Sequence, residues 1–142
     1  FTDSSISSVP TGWKTYKNDK LGFSVSHDPA YIPLEVPGDA QQLGLIAFGS
    51  LKNDYGFDIR VSKGNSLEYY KDQITKQVPE KIDKEETVTV DGIIGTKFTY
   101  KQVIVIEKFD VSQVIVRKNN KDYVITAKSP EINQILATYK FN

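Results

Sequence analysis

Apolar residues recur at every second position over much of this chain, and at every third or fourth over two short stretches. Residues 96–101 alternate: Phe98 and Tyr100 point one way, Lys97, Thr99 and Lys101 the other. A period of two predicts a half-buried strand. Val103-Ile104-Val105-Ile106 abandons alternation, and four consecutive β-branched residues predict a strand covered on both faces. Val114-Ile115-Val116 repeats that signal, and Tyr123, Ile125 and Ala127 form the inward row of a returning strand. Lys118-Asn119-Asn120-Lys121 is a turn, because Asn tolerates positive φ. Residues 87–128 thus read as a β-meander that supplies most of the core, with Ile104, Ile106, Val116 and Ile125 buried. One strand across residues 93–117 would far exceed the usual limit of about 10 residues. A turn is therefore expected at Phe109-Asp110-Val111-Ser112 and a bend near Lys101-Gln102.

Upstream, Trp13-Lys14-Thr15-Tyr16 alternates as a short strand, and Asn18-Asp19-Lys20 is a turn. Leu21, Phe23 and Val25 share one face of a second strand, which Asp28-Pro29 breaks. Residues 30–42 carry Pro33, Pro37 and Gly38 and read as loop, with a short edge strand at residues 34–36. Residues 43–48 form a strand, and in residues 56–61 Phe57, Ile59 and Val61 face inward while Asp58 and Arg60 face water.

Two stretches have helical spacing. Leu67, Tyr70, Ile74 and Val78 form one apolar stripe. Asn65 as N-cap puts Glu68 at the third helical position, the capping-box geometry, and Pro79 ends the helix. Asp72 and Lys76 pair on its wet side. Residues 81–86 form a charged connector, after which Val88-Thr89-Val90 and Asp91-Gly92 open the meander by a hairpin turn. Ser129-Pro130-Glu131 starts the second helix as cap, first-turn Pro and first-turn acid. Ile132, Ile135, Leu136 and Tyr139 form its buried stripe, and Phe141 folds back onto the sheet.

Composition narrows the picture further. At 142 residues the chain is one domain by length, with residues 1–12 a flexible Ser-rich lead-in and 13–142 the folded unit. Eighteen basic residues balance eighteen acidic ones, which argues against a nucleic-acid partner, whose binding needs a basic face. No apolar run approaches the roughly 18 residues of a membrane span. Cysteine is absent, which removes disulfides, thiolate nucleophiles and cysteine metal sites together. The single His makes a zinc site implausible, and no cofactor is expected. The chain starts at Phe1 and has no Met. A precursor with an N-terminal signal peptide or lipid anchor, and a location outside the cytoplasm, are therefore expected.

Trp13-Lys14-Thr15-Tyr16, Asn18 and Gly22-Phe23-Ser24 ahead of a Pro resemble the opening of PsbP-like proteins. There an aromatic pair, Asn, Gly-Phe-Ser and Tyr-Pro follow one another; here His27-Asp28-Pro29 stands in place of Tyr-Pro. Residues 135–141 are similar to that family's closing segment, a helix running into Thr-Phe-x-Phe. The family includes photosystem II extrinsic subunits of chloroplasts and many small bacterial lipoproteins and secreted domains. Its fold is shared with a Ran-binding nuclear import factor. The resemblance implies a PsbP-like α/β/α sandwich and brings no functional residue with it.

The candidate chemistry is thin. Asp28 beside His27 would point to the opposite strand face, so it would not orient the imidazole, and a solvated or hydrogen-bonded His27 is expected. Asp54 and Asp58 lack the repeated ligands and closing Glu of a calcium loop. Asp83, Glu85 and Glu86 are interleaved with Lys81 and Lys84, as on an ordinary mixed surface. There is no G-x-S-x-G, no second His for a triad and no phosphate loop at Gly44 or Gly49. Of the eight tyrosines, Tyr31, Tyr55 and Tyr69 fall outside the inward rows and are candidates for a recognition surface, against packing under loops.

The expected fold is α+β: a central antiparallel sheet of seven or eight strands with two helices packed on it. The expected function is a non-enzymatic accessory or binding domain outside the cytoplasm, monomeric, with a protein partner and a membrane link only through a segment upstream of Phe1. A photosystem II extrinsic-subunit-like protein and a cytosolic or nuclear GTPase-binding adaptor are the alternatives.

Overall fold

The computed structural model describes residues 11–40, 42–50, 55–77, 82–104 and 107–142. Two antiparallel sheets and two helices make up these residues. In chain order they are β1 (Lys14–Asn18), β2 (Phe23–His27), β3 (Ile32–Pro37), β4 (Gln42–Gly49), β5 (Tyr55–Lys63), α1 (Leu67–Gln77), β6 (Lys84–Val90), β7 (Ile93–Ile104), β8 (Glu107–Lys118), β9 (Lys121–Lys128), α2 (Ser129–Thr138) and β10 (Lys140–Phe141). The large sheet has the strand order β3-β4-β5-β9-β8-β7-β6, and the small one β1-β2-β10. The α+β architecture expected from the pattern is therefore present, with the strands divided between two sheets.

Each face of the large sheet carries its own core. On one face Phe48, Phe57, Ile59, Val61, Val116, Ile125 and Ala127 are buried against Phe23 and Val25 of β2 and Ile132 and Ile135 of α2. On the other, Tyr70 and Ile74 of α1 pack on Phe98, Tyr100, Val111, Ile115 and Val124. The inward rows Phe57-Ile59-Val61 and Tyr123-Ile125-Ala127 lie as alternation predicts. Val124 is buried as well, since β9 is central and both its faces are covered. Phe141 returns to the sheet through β10, which pairs with Phe23 and Ser24, and its ring meets Tyr123 edge-on at 5.0 Å.

Both hairpin turns form for the local reason expected. Asp91 and Gly92 take φ of 47° and 82°, and Asn119 and Asn120 take 54° and 63°. These positive angles give a two-residue connection the twist of its flanking strands.

Several expectations are corrected. No turn occurs at Phe109-Asp110-Val111-Ser112, and no bend ends the strand at Lys101-Gln102. Instead β7 and β8 each run 12 residues. The last residue pair between them is Ile104 with Glu107. The ribbon continues because residues 109–112 hold no Gly or Pro to break it, and cross-strand pairs hold it. Lys101 Nζ donates to Asp110 Oδ1 at 2.6 Å, and the Lys128 ammonium sits 4.3 Å from the Phe109 ring centre. The charged connector is strand from Lys84 onward, its backbone paired with residues 93–99 of β7. The proline-bearing loop holds a full edge strand, β3, along β4. Ser66, not Asn65, caps α1: its hydroxyl accepts from the Tyr69 N–H at 3.1 Å. Ser129 opens α2 from inside, with Lys128 as the flanking residue, and its hydroxyl meets that of Ser112 at 2.9 Å. Asp72 and Lys76 form no ion pair among the described residues; Lys71 instead bridges Glu68 and Glu85. Leu67 is exposed, because it precedes the turn of α1 that meets the sheet. Val116 and Ile125 are fully buried. Ile106, the side chain of Ile104, Val78, Pro79, Tyr55's side chain, and residues 1–10 of the lead-in lie outside the described residues.

Candidate functional site

The face of the large sheet beneath α1 is less apolar than the opposite face. Register explains where its polar groups meet. Asp58 of β5 pairs with Thr126 of β9, and Thr126 pairs with Gln113 of β8, so three polar side chains cross adjacent strands in one row. Gln113 Nε2 donates to Thr126 Oγ1 at 3.4 Å. The next row holds Arg60, Val124 and Ile115, and the third holds Ser62, Asp122 and Arg117.

The third row fastens α1 to the sheet. Asp122 is wholly buried, and its carboxylate accepts from Arg117 Nε at 2.8 Å, the Tyr70 hydroxyl at 2.6 Å and the Asn65 N–H at 2.7 Å. Arg117 also donates to the Asn65 carbonyl. Burial works to raise the Asp122 pKa. The hydrogen bonds from Arg117, Tyr70 and Asn65, with the guanidinium charge, outweigh it and hold the carboxyl below its ordinary value. Burial and the Asp122 carboxylate push the Tyr70 phenol up.

Because α1 leans on the β7–β9 half of this face, a cavity of about 380 Å³ remains between it and the sheet. Tyr69, Tyr70, Gln73 and Ile74 of α1 form one wall. Asp58, Arg60, Ser62, Tyr100, Gln102, Gln113 and Thr126 form the floor, with Gln42 at the side. Arg60 is half-buried, and its Nε is sealed from solvent without a hydrogen-bond partner. No ion pair to Arg60 occurs among the described residues. Burial, then the Asp58 carboxylate, pushes the Tyr100 phenol up to about 12, so it stays a neutral donor at physiological pH. The lining is rich in amides and hydroxyls, and the Ser62 hydroxyl is engaged with that of Tyr70 at 3.3 Å.

Beyond the cavity the same face runs out over β4 and β3. Ile32, Leu34 and Val36 alternate with Pro33 and Glu35, and all three are exposed, Leu34 at 63%. Glu35 lies on the opposite face, where it accepts from the Tyr16 hydroxyl at 2.5 Å.

The structure does not bring the candidate tyrosines together. Tyr31 lies on the α2 side, its ring against Phe57 at 6.3 Å and its hydroxyl donating to Glu131 at 3.2 Å. Tyr69 is exposed on α1, across the sheet, and walls the cavity. Tyr55's side chain is outside the described residues. His27 is buried, stacked obliquely on Phe48 at 5.1 Å with Nδ1 2.8 Å from the Asp28 carbonyl oxygen, on the face opposite the cavity. Asp83 and Glu85 pair with Lys101 and Lys71, as a mixed surface does. Among the described residues no group of three or more His, Asp or Glu is placed to hold a metal ion.

Asp58 and Arg60 are not free in water, as alternation alone suggested, but floor a cavity with Gln102 and Gln113. The available signal was polar residues recurring on the outward rows of strands whose neighbours are buried.

No protein-family model matches the sequence, and no curated protein matches it. Solved structures do match in shape. The solution structure of cyanobacterial PsbP (CyanoP) from Synechocystis sp. PCC 6803 superposes with a TM-score of 0.68 at 9% identity, over 92% of both chains. A crystal structure from Bacteroides thetaiotaomicron VPI-5482 gives a TM-score of 0.58 at 18% identity, over 91% of this chain; the match spans 48% of that one. At these identities the likeness is one of fold, and the fold of this chain is PsbP-like.

Proposed function

We propose that this chain is a non-enzymatic accessory domain that works outside the cytoplasm by docking a protein partner. The observation that carries the reading is the apolar row Ile32-Leu34-Val36, exposed on the bare end of the large sheet. Apolar residues concentrated on one solvent-facing stretch are a feature of interaction sites. Pro33 and Pro37 break the hydrogen-bonding edge of β3, so the face of the strand, rather than its edge, is the docking element. The non-enzymatic reading is supported by His27 being packed on Phe48, away from the cavity, and by the Ser62 hydroxyl facing a phenol rather than a base. The extracytoplasmic reading draws on the PsbP-like fold and on the resemblance of residues 13–24 and 135–141 to a family with many exported members.

A photo-crosslinking residue at position 34, introduced in the source cells, is expected to give one discrete protein adduct. Changing Ile32 and Val36 to Asp should remove it. A folded, exposed domain that yields no adduct would end the docking reading, and recovery of the protein from the cytoplasmic fraction would end the extracytoplasmic one. A photosystem-associated role is the second reading, supported by the near full-length likeness to CyanoP. It requires the adduct to be a photosystem subunit.

A further inference from the structure

We propose that the cavity beneath α1 binds a hydroxylated carboxylate, a molecule of the sugar-acid class, with Arg60 holding its carboxylate. This goes beyond the docking reading and uses a different part of the molecule.

Arg60 is the first argument. Its guanidinium cannot shed its charge, it lines the cavity, and no ion pair to it occurs among the described residues. A lasting cation in the lining of a cavity, with no anion paired to it, favours an anion in whatever fills the cavity. A planar guanidinium fork matches two coplanar oxygens, as a carboxylate or phosphate presents them.

Asp58 decides between those anions. It lies two residues from Arg60 on the same strand and the same face, and both floor the cavity. Its charge is felt there, since it helps raise Tyr100. With Asp58 and Arg60, a phosphate dianion would leave the three groups at net −2, whereas a single carboxylate leaves them at net −1. An ionised carboxylate has about four lone-pair sites, so Asp58 can accept a ligand hydroxyl in addition to its present contacts.

The remaining lining selects hydroxyls. Gln73 and Gln102 each offer both a donor and an acceptor, as a sugar hydroxyl does, while Gln113 is already bonded to Thr126 and Tyr100, and Tyr100 stays a neutral donor. Tyr69 adds aromatic surface at the wall for the C–H face of a pyranose. A volume of about 380 Å³ suits one sugar ring rather than a lipid chain. A free sugar acid and the terminal uronate of a polysaccharide present this same chemistry.

The test is isothermal titration of the whole chain with D-glucuronate, D-galacturonate, digalacturonate, glucose and glucose 6-phosphate. Uronates are expected to bind, and glucose to bind at least about tenfold more weakly, because it leaves the guanidinium unpaired. Arg60→Gln should reproduce that loss for uronates, with unchanged thermal unfolding showing that the fold is intact. Should Arg60→Gln not fold, Gln73→Glu places a like charge on the α1 wall and is expected to weaken uronate binding severalfold. Tighter binding of digalacturonate than of galacturonate assigns a polysaccharide end, and equal binding assigns the free acid. Equal affinity for glucose and glucuronate, tighter binding of glucose 6-phosphate, or no binding of any uronate overturns the proposal. Crosslinking at position 34 in the Arg60→Gln chain separates this failure from failure of the docking face.

Discussion

Asp122 shows what one residue can hold together. It sits at the start of β9, fully buried, and joins three parts of the fold: Arg117 across the Asn119-Asn120 turn, the Tyr70 ring of α1, and the Asn65 N–H just ahead of that helix. Arg117 is more than half exposed, so the pair stands at the boundary of the core rather than within it. Breaking it strands the carboxylate more than the guanidinium, which can turn to water. The folded-state pKa of Asp122 is lowered, while the unfolded chain titrates it at about 3.9. Its contribution to stability is therefore fully present above the unfolded value and is lost as pH falls through the folded one. Asp122→Asn keeps the shape, removes the charge, and is expected to cost about 1–3 kcal/mol at neutral pH. The variant should also lose less stability than the parent between about pH 5 and pH 2. Urea unfolding across that range checks it; parallel stability curves for the two proteins would show that Asp122 titrates as in the unfolded chain.

At the level of elements, the start of α1 depends on which residue caps it. The Ser66 hydroxyl receives the Tyr69 N–H, while Asn65 makes side-chain bonds to the Lys63 carbonyl at 3.1 Å and to the Tyr70 hydroxyl at 3.5 Å. Ser66→Ala is expected to cost about 1 kcal/mol, the usual loss of a cap. Asn65→Ala should cost less, because the backbone N–H that meets Asp122 survives the change. A larger loss at Asn65 than at Ser66, measured by urea unfolding, would restore Asn65 as the cap. The misplacement by one residue has a physical source: Asn and Ser are both good caps, and only the chain's exit angle from β5 chooses between them. Features whose cause is local were legible in the sequence. Asp91-Gly92 and Asn119-Asn120 carry their positive φ wherever they stand, and the alternation of Phe57-Ile59-Val61 reports its own face. The length of the β7–β8 ribbon was not legible, because pairing with a partner strand, not composition, keeps residues 109–112 extended. The cavity was hidden for the same reason. Asp58, Gln113 and Thr126 are distant in sequence and meet only through the registers of β5, β9 and β8.

For the molecule as a whole, the large sheet separates two layers of unequal strength. On one side α2 buries Ile132 and Ile135, and Tyr139 just beyond it stacks on Phe23 at 5.5 Å with the rings 5° from parallel. The small sheet seals that layer, since β10 pairs with β2 and Phe141 takes the Lys118 ammonium 4.9 Å from its ring centre. On the other side, among the described residues, α1 fixes itself by the buried side chains Tyr70 and Ile74 and by the Asp122 cluster, with the cavity undercutting its flank. Few buried apolar contacts mark a segment that opens below the free energy of global unfolding. Amide exchange under native conditions is therefore expected to place α1 on a lower-energy opening than β9, while α2 exchanges with β9 in the global event. The Ile74→Ala change should widen the gap: it removes one of the buried side chains holding α1, at a cost of about 2–5 kcal/mol, without touching the α2 layer. Filling the cavity should narrow the gap, because a ligand bound between α1 and the sheet stabilises the closed state against the open one. The measurement is hydrogen exchange resolved by residue at several denaturant concentrations. If α1 amides join the same isotherm as β9 in both the parent chain and the Ile74→Ala chain, the two layers unfold as one unit. The cavity's roof would then be no more mobile than its floor.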